Sequence, residues 1–102
     1  MKFLCVCTYG HSRSVALARC LHGLGHAAVA CGEITSGDAM SVLSVWADKI
    51  LLMAPTAMNK VSIELRAKVV NMDIGPDKWS NPYHPELQAI VKRLVAERLN
   101  LC

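Results

Sequence analysis

The chain has 102 residues, of which 53% are hydrophobic, and its formal net charge is +3. This length predicts one domain, residues 1–102, and the apolar content excludes a disordered chain. No run of Lys or Arg marks a nucleic-acid surface, and no apolar stretch reaches the length of a membrane span. Five cysteines without disulfide-framework spacing indicate reduced thiols. We therefore expect a cytoplasmic protein with neither a nucleic-acid nor a membrane partner.

Short apolar runs alternate with segments of helical spacing along the chain. The strands are predicted at residues 3–6, 27–31, 50–53 and 68–73, and the helices at 14–24, 39–47, 57–67 and 85–99. Strands that alternate with helices form a parallel sheet covered on both faces. The predicted fold class is therefore α/β, with three layers and a four-stranded parallel sheet flanked by helices. Sites in such sheets lie at the carboxyl ends of the strands.

The stretch CTYGHSRS, residues 7–14, joins the first strand to the first helix. A tight loop before a helix N-terminus points backbone N–H groups at one spot and forms a cradle for an anion. Cys7 begins this loop, and Arg13 follows five residues later. A thiol among such donors is expected to ionise readily, and a guanidinium can hold two phosphate oxygens at once. The pattern predicts Cys7 as a nucleophile and Arg13 as an anion clamp, with Ser14 as a hydroxyl that supports the thiolate.

The residues VCTYGHSRS resemble the signature of the low-molecular-weight protein tyrosine phosphatases, Cys-x5-Arg-Ser just after the first strand. The segment WADKILLMA is similar to a helix end and strand of short proteins of that type. The resemblance implies the fold of that family and hydrolysis of phosphomonoesters, above all protein phosphotyrosine, through a phosphocysteine. The implied reaction needs no cofactor or metal, and the implied substrate is a phosphorylated protein or a small aryl phosphate. The loop residues that it implies for substrate binding are Thr8, Tyr9, Gly10, His11, Ser12 and Ser14.

The resemblance also implies a general acid in the loop after the last strand, from an Asp-Pro-Tyr-like motif. Here Pro76-Asp77-Lys78-Trp79 aligns best, so Asp77 is the first candidate, and Asp73 at the strand end is the second. Lys78 stands where the family has Pro, which is a departure from the motif. Trp79 is predicted to wall the substrate pocket, with packing in the core as the alternative.

Two further departures concern the loop itself. Gly10 stands where the family usually has Asn, and both residues tolerate a left-handed conformation. Ser12 stands where many members carry a second Cys, so a protective disulfide at that position is absent. Cys5 points to the same side of its strand as Cys7 and is interpreted as a packing residue.

Two other functions fit parts of the pattern. The IIB domains of sugar phosphotransferase systems carry a phosphocysteine on a similar loop, but they need neither Arg13 nor an acid near Asp77. A phosphate or phosphopeptide binder without catalytic activity is the third possibility, although it would be expected to lack the nucleophile or the clamp. The presence of Cys7, Arg13 and Asp77 together favours the phosphatase.

Overall fold

The fold was analysed in a computed structural model that describes residues 1–8, 12–32, 38–53, 58–59, 61–75, 78–79 and 81–101. Strands and helices alternate along the described chain. The strands are β1 (Lys2–Cys7), β2 (Ala27–Gly32), β3 (Lys49–Leu52) and β4 (Val69–Asn71). The α-helices are α1 (Arg13–Gly23), α2 (Ala39–Trp46) and α3 (Pro85–Leu99), and a 3-10 helix spans Ile63–Lys68.

The four strands form one parallel sheet in the order β2-β1-β3-β4. The sheet is flanked by helices, so the α/β class with a four-stranded parallel sheet is confirmed. Strand β1 pairs with β2 and with β3, and at its carboxyl end Cys7 lies opposite Gly32. Residues 3–7 of β1 are all buried, as expected for a central strand covered on both faces.

Alternate residues of β1 contribute to two separate hydrophobic clusters. Phe3, Cys5 and Cys7 belong to the cluster that includes residues of α1 and α3. Leu4 and Val6 belong to the cluster that includes residues of α2 and Val61. This alternation follows from the two-residue period of a strand, and it confirms that Cys5 is a packing residue on the same face as Cys7.

Helix α1 directly follows the loop that begins at Cys7. Leu17 and Leu21 are fully buried one turn apart, which fixes the helix against the sheet. The helix ends where Gly25 adopts a positive φ of 89°, and the N–H of His26 donates to the carbonyl of Leu21 at 3.0 Å. Glycine satisfies this left-handed position without strain, so the chain turns sharply into β2.

The predicted helix at residues 57–67 is wrong in its described part. Residues 63–68 form a 3-10 helix, with the N–H of Leu65 donating to the carbonyl of Ser62 at 3.0 Å. Ser62 is extended and β4 begins at Val69, so six residues must cover this gap. A 3-10 helix rises about 2.0 Å per residue against about 1.5 Å for an α-helix, so it spans more distance with the same chain. Val61 and Leu65 pack on the second cluster.

Helix α3 has the predicted bounds. Pro85 occupies its first turn, and Nδ1 of His84 accepts a hydrogen bond from the N–H of Glu86 at 3.2 Å. Asn100 ends the helix in a left-handed conformation. The side chains that α3 buries are Leu87, Val91, Leu94 and Val95. Within the described residues, no helix is both long and apolar enough to cross a membrane.

Candidate active site

Cys7 is the last residue of β1, and its side chain is 4% exposed. Its Sγ lies 3.0 Å from Oγ of Ser14, which is fully buried in the first turn of α1. The strand therefore delivers the thiol, and the helix delivers the hydroxyl that contacts it. At this distance either the hydroxyl or the thiol can be the donor of a hydrogen bond.

Arg13 is the first residue of α1 and is only 3% exposed. Its Nη2 donates to Oγ1 of Thr8 at 3.2 Å, and its Nη1 donates to the carbonyl of Gly75 at 2.8 Å. Burying a guanidinium costs free energy unless its N–H donors are satisfied. These two hydrogen bonds therefore offset part of the cost of burying Arg13. They also fix the plane of the guanidinium between the Cys7 loop and the segment that follows β4.

The remaining predicted loop residues divide into two groups. Thr8 is half-buried and contacts Arg13, while Ser12 is 8% exposed and precedes α1. The carbonyl of Ser12 accepts a hydrogen bond from the N–H of Ala16 at 2.9 Å, but its side chain makes no capping bond. Tyr9, Gly10 and His11 lie outside the described residues, and their roles stay predictions.

The segment after β4 turns back towards Arg13. The N–H of Met72 extends the sheet by donating to the carbonyl of Leu52 at 2.8 Å. Asp73 and Gly75 then adopt positive φ angles of 51° and 105°. The carbonyl of Gly75 thereby reaches the guanidinium, a contact that the sequence analysis missed. The signal for it was the glycine two residues after Asp73, at a place where the backbone needs a positive φ.

The two candidate acids differ in what the structure describes. Asp73 is exposed at the end of the sheet, one residue beyond the buried Met72. Asp77 lies outside the described residues. The choice between the two carboxylates therefore stays a prediction.

Trp79 is 5% exposed and belongs to the cluster that includes residues of α1 and α3. Lys78 lies above its ring, with Nζ 5.1 Å from the ring centroid, and forms an exposed ion pair with Glu86 at 3.3 Å. Trp79 therefore packs in the core, which was the alternative prediction for this residue. Its role in substrate binding stays a prediction.

The described cysteines lie in different surroundings. Cys5 is fully buried beneath Cys7, and burial raises the pKa of its thiol, with the nearby Cys31 and Cys7 adding to the effect. Burial also raises the pKa of Cys20, although the positive charge of Lys92 opposes that rise. Cys7 differs from Cys5 and Cys20 in lying at the carboxyl end of the sheet, where its Sγ contacts the buried hydroxyl of Ser14. In the described part of the chain, no group of three or more His, Cys, Asp or Glu residues could hold a metal ion.

No protein-family model matches this chain, and neither a curated protein nor a solved structure matches it.

Proposed function

We propose that the protein is a cysteine-dependent phosphatase of the low-molecular-weight tyrosine phosphatase type, with the fold of that family. It hydrolyses phosphomonoesters, and its substrate class is protein phosphotyrosine. One observation carries the proposal, which is the arrangement of two contacts around Cys7. The thiol contacts the buried hydroxyl of Ser14 at 3.0 Å. The buried guanidinium of Arg13 is hydrogen-bonded to Thr8, the residue after Cys7.

The proposed reaction has two steps. The Cys7 thiolate attacks phosphorus, so an S–P bond forms while the P–O bond to the aryl oxygen breaks. An aspartic acid gives its proton to the leaving oxygen, and Asp77 is the first candidate for that role. Water then attacks the phosphocysteine and loses a proton to the same carboxylate, which releases inorganic phosphate and restores the thiolate.

Arg13 is proposed to bind the transferring phosphoryl group in both steps. Its bonds to Thr8 and Gly75 hold the guanidinium in one orientation before substrate arrives. A fork held in this way can bind two equatorial oxygens without a further cost of ordering its side chain. Backbone N–H groups of residues 8–14 and the N-terminus of α1 complete the cradle in this proposal.

The proposal is tested by release of inorganic phosphate from p-nitrophenyl phosphate and from a phosphotyrosine peptide. We expect the wild-type protein to turn over both substrates and Cys7→Ser to turn over neither. Cys5→Ser removes a thiol from the same face of the same strand and should retain activity, provided that its circular dichroism is unchanged.

The same assay separates the alternative functions. A phosphocarrier would accept one phosphoryl group on Cys7 and release it slowly unless an acceptor is present. A binder would hold phosphate without breaking an ester bond. Absence of multiple turnovers by folded wild-type protein on both substrates would contradict the proposed function.

A further inference from the structure

A concave surface lies between α1 and α3, on the face of the sheet that carries Cys7. This α1–α3 cleft has a volume of about 250 Å³. Its walls include Arg19 and Cys20 from α1 and Gln88 and Lys92 from α3. Ala16 also lines the cleft, and it follows Arg13 by three residues, which is less than one helical turn. The cleft therefore begins beside the candidate active site.

The polar wall of the α1–α3 cleft is cationic. Arg19 and Lys92 line it, and none of its described lining residues carries a carboxylate. The guanidinium of Arg19 lies over the ring of Tyr83, with Cζ 4.6 Å from the ring centroid. Stacking uses the face of a guanidinium and leaves the N–H groups at its edge available to an acceptor.

The other residues that line the cleft are uncharged. Val91 and Ala16 are buried among them, and Pro82 also lines the cleft. Lys92 is close enough to the half-buried Cys20 for its charge to act on that thiol, so the ammonium lies beside the cleft. A volume of this size is below the range of about 300–1,000 Å³ for cofactor and drug-sized pockets. It suits one side chain with a short apolar stem and an anionic end.

We propose that the α1–α3 cleft binds the carboxylate of a Glu or Asp in the substrate, a few residues away from the phosphorylated residue. The inference rests on the proposed function and adds a preference for acidic phosphopeptides. Arg19 lies six residues beyond Arg13 on α1, a rise of about 9 Å at 1.5 Å per residue. An extended peptide covers about 3.3 Å per residue, so an acidic residue about three positions from the phosphotyrosine can reach the cleft.

The test compares two phosphotyrosine peptides. One has Glu at the third position before and after the phosphotyrosine, and the other has Gln at both positions. We expect KM for the Glu peptide to be lower by about fivefold, which is the effect of an exposed charge pair. Lys92→Gln and Arg19→Gln should remove most of this preference. Turnover of p-nitrophenyl phosphate should not change in either variant, because this small ester does not extend to the cleft.

Arg93→Gln is the matched control. Arg93 is the next residue of α3 and is exposed, but it does not line the cleft, so this substitution removes the same charge from a nearby surface. Arg93→Gln should retain the preference for the Glu peptide. Equal KM values for the two peptides with the wild-type protein would overturn the inference and leave the phosphatase proposal intact. An equal loss of preference in Arg93→Gln and Lys92→Gln would also overturn the inference.

A direct binding measurement separates failure of the inference from failure of the proposed function. Fluorescence anisotropy of a labelled, unphosphorylated Glu-rich peptide requires no catalysis. If the wild-type protein hydrolyses no phosphate ester, binding that is weakened in Lys92→Gln and retained in Arg93→Gln would still support the cleft as an acidic-peptide site. Binding that is absent in the wild-type protein, or equal in both variants, would overturn it.

Discussion

The two halves of the candidate site are positioned in different ways. In the first half, Cys7, Arg13 and Ser14 are each at most 4% exposed and belong to β1 or to the first turn of α1. In the second half, Asp73 is exposed and adopts a positive φ, and Gly75 contacts Arg13 through its carbonyl. Regular secondary structure therefore holds the proposed nucleophile and clamp, whereas a turn and a contact with Arg13 orient Asp73 to Gly75.

This difference predicts different kinetic behaviour for the two halves. A change in the first half affects the binding and attack of every phosphate ester, so all substrates should lose activity alike. A change in the acid should matter most for esters with a poor leaving group, because those esters need the proton. Each of the following substitutions tests this division.

Among the substitutions that compare the two halves, the largest effect is expected from the acid. Asp77→Asn should lower kcat for a phosphotyrosine peptide by about a thousandfold, within the range of general acid catalysis. It should lower kcat for an activated nitrophenyl ester far less, and the alkaline limb of the pH–rate profile should disappear. Asp73→Asn should show neither change. If the two variants exchange these behaviours, Asp73 is the acid and the alignment of this loop is wrong.

The second effect concerns the guanidinium fork. Arg13→Lys keeps the charge and loses the paired donors, so we expect kcat/KM to fall by about a hundredfold for phosphotyrosine and nitrophenyl esters alike. Arg98→Lys is the control, because Nη1 of Arg98 also donates to a backbone carbonyl, that of Asn71 at 3.0 Å, but belongs to the end of α3. Activity of Arg13→Lys close to that of the wild-type protein would contradict the clamp and favour the phosphocarrier.

The hydroxyl beside the thiol should contribute less. Ser14→Ala removes the contact at 3.0 Å, and the loss of one hydrogen bond to a charged group should lower kcat by about tenfold or more. Iodoacetate should also modify Cys7 more slowly in this variant, as measured by mass spectrometry. Ser44→Ala is the matched control, since Ser44 is also buried and donates to the carbonyl of Met40 within α2. Similar alkylation rates in the two variants would exclude a role for Ser14 in supporting the thiolate.

The smallest effect is expected from the turn that orients the second half. A Cβ added at Gly75 by the Gly75→Ala substitution would meet no neighbouring atom within 4 Å, but the φ of 105° at this position is strained for any residue with a Cβ. We expect the free energy of unfolding to fall by about 1–2 kcal/mol and kcat/KM to fall a few-fold as the contact with Arg13 shifts. Gly25→Ala is the control, since Gly25 has a φ of 89° and equally open space at the end of α1. It should lose similar stability, measured by urea unfolding, and keep its activity.

The sequence by itself predicted the α/β class, the parallel sheet and most element bounds. The spacing of apolar residues and the residue types at helix ends were sufficient for these predictions. In α3, for example, Pro85 marks the start of the helix and the apolar spacing marks its buried face. The position of Cys7, Arg13 and Ser14 at one strand end also followed from the sequence, because a strand, a short loop and a helix adjacent in the chain leave little geometric freedom.

Long-range contacts decided the remainder. The helix predicted at residues 57–67 became a 3-10 helix over residues 63–68, which leads from the extended Ser62 directly into β4. The bond from Arg13 to Gly75 joins residues 62 positions apart, and the cleft between α1 and α3 depends on how two distant helices pack. Local patterns carry no information about which distant surfaces meet. The sequence therefore placed Cys7, Arg13 and Ser14 at one strand end, and only the tertiary structure brought the carbonyl of Gly75 to Arg13 and α3 beside α1.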